Sequence, residues 1–315
     1  MFEIQVPLKQ YSTLRAGGCA ERFFVARSVE DLAEVSIVAQ SEGSRITILG
    51  GGSNILPSDA GVPGLTVLNR ATAIEIEGGM VRAECGASFQ DVFLKTAQAS
   101  LKGLEFAVGI PGTLGGALVS NAGAYRSNVS EFLTELDVVF EGKRQTVSPQ
   151  FMEFSYRDSL LRRENPPLCT LLRATFQLQR GDAIAIYDEA REYQRQRIGK
   201  QPPQASAGSF FKNVNDKQLA ESLESLPEGL KRAGVVPAGY LNEAVGLKGI
   251  EHKGAKIAER HANFMLNTGG ATATAIRDLA EHVKKRVFDK FGVSLEEEVL
   301  YLGDWTGYEV TPVEA

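Results

Sequence analysis

Little in this sequence points to a membrane, a metal or a nucleic acid. None of its apolar runs is long enough to cross a bilayer. The opening MFEIQVPLKQ lacks the basic start and apolar core of a secretory leader, so none is expected. The net charge is −5, without the basic excess that a nucleic-acid-binding surface needs. Three cysteines (Cys19, Cys85 and Cys169) are odd in number and widely spaced, and they fall into no metal or redox motif. They predict free thiols in a cytoplasmic protein. There is no internal repeat and no low-complexity tract. What remains is an ordinary globular composition, 43% hydrophobic and 23% charged. At 315 residues the chain exceeds one small core and predicts two domains or three.

Glycine is where the sequence is rich. Residues 109–125, GIPGTLGGALVSNAGAY, hold five glycines, one proline and no charge. Such a run makes a poor helix and a poor strand, but it bends sharply and approaches a ligand closely. Gly115-Gly116 feeds Ala117-Leu118-Val119, a short helical or extended segment whose free amides can face an anion. A tight structural loop is an equally open reading of these residues. Upstream, the buried strand Ile46–Leu49 runs into Gly50-Gly51-Gly52-Ser53-Asn54, a backbone-amide cradle with two added polar side chains. This suits a pyrophosphate. It is not a Walker loop, for no Lys-Ser/Thr pair follows, and it lacks the spacing and opening helix of a dinucleotide fingerprint.

Around these loops the pattern alternates strands and helices, an α+β arrangement. Strands are expected over 21–26, 65–68, 133–140, 144–147 and 168–178. A hairpin turns at Gly78-Gly79-Met80. Ser28 with Asp31, and Ser88 with Asp91, read as helix starts. Asp182 caps a helix of mixed charge that Gly199 ends, and Lys200-Gln201-Pro202-Pro203 marks a domain boundary. Beyond it, 219–230 is weakly helical and Ala238–Leu247 is helical after Pro237. Residues 262–267 are strand-like. Ile276, Leu279, Ala280, Val283 and Val287 share one helical face. Residues 295–301 read as a final strand and 310–315 as a loose tail.

Taken together, TLRAGG (13–18), LGGGSN (49–54), the 109–125 stretch, YRDS (156–159), SAGSFFKN (206–213), LKG (247–249), RHANFMLN (260–267) and LEEEV (295–299) resemble the UDP-N-acetylenolpyruvoylglucosamine reductase family. The motifs stand in the family's order from residue 12 to about residue 303. The resemblance implies an FAD-binding region of the vanillyl-alcohol-oxidase (PCMH) type over 1–199, a smaller α/β substrate domain over 200–303 and a tail over 304–315. It is to the compact subtype, without an additional tyrosine-bearing loop between Phe176 and Lys200. Departures are Pro57, Val214, and Lys253 where glycine is usual.

The chemistry follows from the resemblance. The family reduces the enolpyruvyl ether of UDP-N-acetylglucosamine to a lactyl ether, with NADPH as donor and FAD as carrier. It assigns FAD to Arg15, Gly50, Gly51, Gly52, Ser53 and Asn54, and to Gly109, Ile110, Pro111, Gly112, Gly115, Gly116, Asn121, Ala122 and Gly123. His252, His261 and His282 lie outside the flavin stretches, so FAD is expected to be non-covalent. Negative charge developing on the substrate carboxylate needs a stabiliser. Arg157 matches it, and Glu298 matches a partner in that role, which requires a raised pKa or coupling to Arg157. Ser209 matches the proton donor to C2. Tyr156, Lys200, Asn213, His261 and Asn263 stand in motifs that bind the UDP-sugar. No metal and no macromolecular partner is implied, and a monomer is expected. Another PCMH-type FAD oxidoreductase, or a flavin- or UDP-sugar-binding protein without turnover, are the competing readings.

Overall fold

The computed structural model describes residues 1–313. Two compact units divide the chain. One comprises Met1–Val6, Ala20–Gly52 and Val62–Gly199, and the other Pro7–Cys19, Ser53–Gly61 and Lys200–Ala315. The chain thus passes between units at Lys200, and two short N-terminal stretches belong with the later residues. Both units mix helices and sheets, as the sequence pattern predicts.

In the first unit a four-stranded sheet runs Glu3–Pro7, Cys19–Ala26, Val62–Asn69, Ile46–Leu49 in spatial order. The last three strands pair in parallel. Helix Val29–Ser41 covers it, started by the expected capping box: Ser28 Oγ accepts from the Asp31 amide and Asp31 accepts from the Ser28 amide. The second sheet is antiparallel, with Lys143–Val147, Leu133–Phe140, Cys169–Gln177, Met80–Glu84 and Ile74–Glu77 as neighbours in that order. The predicted hairpin at Gly78-Gly79-Met80 is there, and the expected strands over 133–140 and 144–147 pair as a second one. Against this sheet packs a core that includes Phe89, Phe106, Phe176 and Leu118, each buried. A buried side chain of this size contributes roughly 1.5–3 kcal/mol, so this layer is the rigid floor under the 109–125 stretch.

In the second unit Ser206–Ser209, Phe264–Asn267, Ala255–Ile257 and Glu251–His252 form an antiparallel sheet. Helix Ala273–Phe291 lies on it, with Ile276, Leu279, Ala280, Val283 and Val287 all fully buried. Thr272 caps that helix, and the Asp59 carboxylate accepts from the amides of Ala273 and Thr274 at 2.9 and 2.7 Å. An acidic side chain there also complements the helix dipole.

Some expectations differ in detail. The helix from Ala183 runs one residue past Gly199 to Lys200. Residues 219–230 hold two short helices, Lys217–Ser222 and Glu228–Ala233, because Pro227 starts the second and cannot continue the first. The final strand is confined to Leu300–Leu302, which pairs in parallel with Ile55–Pro57. Nor is the tail loose as far as it is described. Tyr308 Oη and the Thr311 amide both donate to the buried Asp278 carboxylate, at 2.8 and 3.0 Å. The last two positions of that tail, 314–315, lie outside the described residues. Among the described residues no helix is long and apolar enough to cross a membrane.

Candidate active site

In the first unit the two glycine loops meet backbone to backbone. A Cβ on Gly51 would lie 2.9 Å from Gly112 Cα, and one on Gly50 would overlap the Thr113 side chain. Only glycine permits this approach. Most amides of the 109–116 loop are already used inside the fold, which corrects the expectation of free ones after Gly115. Gly109 donates to Gln90 Oε1, Gly115 to the Cys85 carbonyl, and Gly116 to Thr113 Oγ1. The loop must be held open against its own entropy, and those bonds hold it. The Gly50 and Gly51 amides, by contrast, donate to no group among the described residues. A tight glycine wall with unused amides fits a bound pyrophosphate.

Beside this wall the chain is bent against its preferences. Asn121, Tyr125, Arg126 and Arg157 all have positive φ (41°, 54°, 68° and 53°). Such conformations cost non-glycine residues roughly 1–3 kcal/mol each and persist only where neighbours fix them. Here the neighbours are visible. Asn121 Nδ2 donates to the Ser155 carbonyl at 2.8 Å, tying the glycine stretch to the YRDS loop. Ser159 Oγ donates to the Val119 carbonyl. The Arg157 guanidinium donates to the Gly123 carbonyl and lies 5.4 Å from the Tyr156 ring centroid. Tyr125 and Arg126 form the turn between Gly123–Ala124 and Ser127–Asn128. Asn121 Oδ1 is buried and accepts from nothing among the described residues, an acceptor left for a ligand's donor.

The second unit carries the other candidates. Gly17 and Gly18 press TLRAGG onto the 57–59 backbone, where a Cβ on Gly17 would meet the Pro57 carbonyl oxygen at 2.6 Å. Arg15, also at positive φ (52°), is fixed here as Asn267 Nδ2 donates to the Leu14 carbonyl at 2.9 Å. Ser209 ends the Ser206–Ser209 strand just after a bulge against Phe264–Asn267, and Gly208 supplies the positive φ (77°) that the bulge needs. Bulges of this kind re-aim a side chain. The next residues pair with the LEEEV segment: the Glu298 amide donates to the Phe210 carbonyl at 2.8 Å, and the Lys212 amide to the Glu296 carbonyl at 2.8 Å. Asn54 Nδ2 donates to the Glu298 carbonyl at 3.0 Å. This register separates the three acids. Glu296 pairs with Lys212 and Glu297 with Lys284, both lysines of the same unit.

A model of the UDP-N-acetylenolpyruvoylglucosamine reductase C-terminal domain matches residues 201–302, and an FAD binding domain model matches residues 20–147. The chain is 36% identical to the UDP-N-acetylenolpyruvoylglucosamine reductase of Caldicellulosiruptor bescii, over 98% of this chain and 93% of that one. The chain belongs to the UDP-N-acetylenolpyruvoylglucosamine reductase family. A Bacillus subtilis member is 35% identical, over 94% of this chain and 92% of its own. The crystal structure of the reductase from Thermus caldophilus superposes with a TM-score of 0.76 at 29% identity, covering 96% of this chain and 98% of that one.

Among the residues that the reductase motifs single out, several are engaged by bonds inside the fold. Both ends of the Asn263 amide are engaged by Phe211: its Oδ1 accepts from the Phe211 amide at 3.0 Å and its Nδ2 donates to the Phe211 carbonyl at 2.9 Å. Asn263 is a brace for the Ser209 strand. Asn213 Oδ1 accepts from the Ala238 amide at the start of a helix. His261 Nδ1 accepts from the Asn263 amide at 3.2 Å. Burial holds the His261 imidazole below its ordinary pKa, with the Lys248 and Lys200 charges acting the same way and Glu243 opposing them. Lys200 is exposed at the end of its helix, and Tyr156 is 47% exposed. The sequence reading passed over Tyr193 and Arg197. The Tyr193 ring stacks on Tyr125 with centroids 3.8 Å apart and planes within 6°. Its phenol is pushed up to about 12, first by its hydrogen bond to Glu189 and then by burial. Their spacing of four on one helix is the signal that marks them as neighbours.

Proposed function

We propose that this chain reduces the enolpyruvyl ether of UDP-N-acetylglucosamine to the lactyl ether of UDP-N-acetylmuramate, a step in peptidoglycan precursor synthesis, with NADPH as donor. FAD, when bound, accepts hydride from NADPH and passes it to C3 of the substrate. The chain holds FAD without a covalent bond. The Gly50–Gly51 amides and the Gly112 wall receive its pyrophosphate, and Arg15, Asn54 and the 109–123 loop complete the flavin-binding set. Residues 1–199 carry all of this set and residues 200–303 form the substrate domain, followed by a tail over 304–315. As the family resemblance implies, the protein acts as a cytoplasmic monomer.

The remaining steps belong to side chains. Arg157 stabilises the negative charge that develops on the substrate carboxylate, since a guanidinium stays charged and grips two oxygens. Its positive-φ backbone and its bond to the Gly123 carbonyl fix where that charge sits. Ser209 donates the proton to C2. A serine hydroxyl is a weak acid, but the acceptor is a carbanion-like centre. Glu298 supports the same charge, which requires it to be protonated or coupled to arginine. Tyr156, Lys200, Asn213 and His261 contact the UDP-sugar, and Asn263 acts through the strand it braces.

One observation carries this reading: the register of the LEEEV segment against SAGSFFKN. The Glu298 amide donates to the carbonyl of Phe210, the residue after Ser209, so strand register brings these two backbone positions together. The test is to incubate purified protein with NADPH and the enol ether, following NADPH oxidation and the mass of the product. NADPH loss matched by a product two hydrogens heavier supports the reading. NADPH loss with unchanged enol ether shows a flavin oxidoreductase of another specificity and refutes the reading.

A further inference from the structure

Near the end of helix Ala183–Lys200, Arg197 is half-buried and has no counter-ion among the described residues. The Arg197 Cδ lies 3.2 Å from where a Cβ on Gly109 would stand, so the side chain lies along the glycine loop itself. Its guanidinium is 5.7 Å from the Tyr125 ring centroid, and its one hydrogen bond among the described residues, to the Phe106 carbonyl, is long at 3.5 Å. Nε is buried and donates to nothing among those residues. The guanidinium is held below its ordinary pKa chiefly by burial, with the Arg157 charge acting the same way. The two guanidiniums thus flank one hairpin, Arg157 bonded to the Gly123 carbonyl and Arg197 beside the Tyr125 ring, and the described residues supply no anion to Arg197. A buried donor left without an acceptor on a charged group is costly unless something compensates it.

We propose that Arg197 is a second binding cation acting with Arg157 on one oxyanion of the ligand, the carboxylate of the enol ether. The assignment rests on the function proposed above. Arg157 sets the choice of anion, because it is bonded to Gly123, two residues from the Tyr125 ring beside which Arg197 lies. The Tyr193–Tyr125 stack, one helical turn before Arg197, fixes the approach of the helix to the glycine loop. The other oxyanion source at hand is a diphosphate, either the substrate's or the flavin's.

The test uses the FAD-loaded full chain with Arg197→Gln and Arg197→Lys. Binding of the enol ether and of UDP-N-acetylglucosamine, which carries the diphosphate but no carboxylate, is read from perturbation of the flavin spectrum. Loss of a charged hydrogen bond predicts that Arg197→Gln weakens the enol ether about ten- to a hundredfold. UDP-N-acetylglucosamine binding and FAD content should stay unchanged, and Arg197→Lys should recover part of the loss. Thermal stability should not fall in Arg197→Gln, since an uncompensated charge is removed, whereas a purely structural arginine would lower it. Equal weakening of both ligands would assign the cation to the diphosphate and overturn the carboxylate claim, as would loss of FAD or unchanged binding of both. Failure of the unmutated protein to bind the enol ether would instead overturn the function proposed above, and this inference with it.

Discussion

The 121–157 region of the first unit and the 206–211 region of the second position the side chains proposed to act on substrate, Arg157 and Ser209, by opposite means. The first uses strain. Asn121, Tyr125, Arg126 and Arg157 sit in a backbone conformation that their side chains disfavour, and stacking and side-chain bonds hold them there. The second uses regular pairing. Ser209 is set by strand register, one glycine bulge and an asparagine brace. A strained residue is fixed by many weak neighbours, so losing one neighbour should misplace it slightly. A residue set by register depends on few strong bonds, so losing one should loosen the whole strand. The physical consequence is that chemistry and stability should separate in the first region and fall together in the second.

The largest effect should come from the hydroxyl at the end of the register. Ser209→Ala removes the proposed proton donor, and steady-state turnover should fall by about 10²–10⁴ with FAD retained. Arg157→Lys should lower kcat/KM by about 10²–10³, the scale of losing one preorganised charge-stabilising group, with little change in melting temperature. Asn263→Ala breaks two buried bonds to Phe211, each group costing about 1–3 kcal/mol when left unsatisfied, and should destabilise the fold by about 2–4 kcal/mol in a thermal or denaturant melt. Tyr193→Leu loses the ring stack, worth about 0.5–1.5 kcal/mol, and should raise KM a fewfold with a small stability change, read in steady-state kinetics. The comparison would be inverted if Tyr193→Leu unfolded the protein and Asn263→Ala did not.

Smallest is a change away from both regions. Lys253, at φ 47°, occupies the hairpin turn between Glu251–His252 and Ala255–Ile257. Lys253→Gly relieves a left-handed conformation but adds freedom to the unfolded chain, so the net gain should be below about 1 kcal/mol, seen as a slight rise in melting temperature.

The two regions were not equally legible in the sequence. Helix starts such as Ser28 with Asp31 follow from local side-chain-to-amide bonds, and the Leu133–Phe140 hairpin from alternation, so both read directly. The motif around Ser209 is contiguous and was visible as a unit. The brace from Asn263 was not, because it spans fifty-two residues and depends on register. Tyr193 and Arg197 sit in a helix whose mixed charge, YQRQR, matches an ordinary solvated face. Only the folded approach of that helix to Gly109 and Tyr125 gives them meaning. Likewise the amides of 109–116 look free in sequence, while the Cys85 carbonyl, Thr113 and Gln90 take several of them. What escaped the sequence is non-local pairing, and it is concentrated where the backbone is strained.

The central claim is that Ser209 serves the second half-reaction and not the first. Under anaerobic conditions the unmutated protein and Ser209→Ala are each mixed with NADPH, cleared of excess donor, and then mixed with the enol ether while the flavin absorbance is followed. Both should bleach at similar rates with NADPH. The unmutated protein should then regain its colour on the enol ether, and Ser209→Ala should do so about 10²–10⁴ times more slowly. Recovery of colour at the same rate in both proteins would contradict the account.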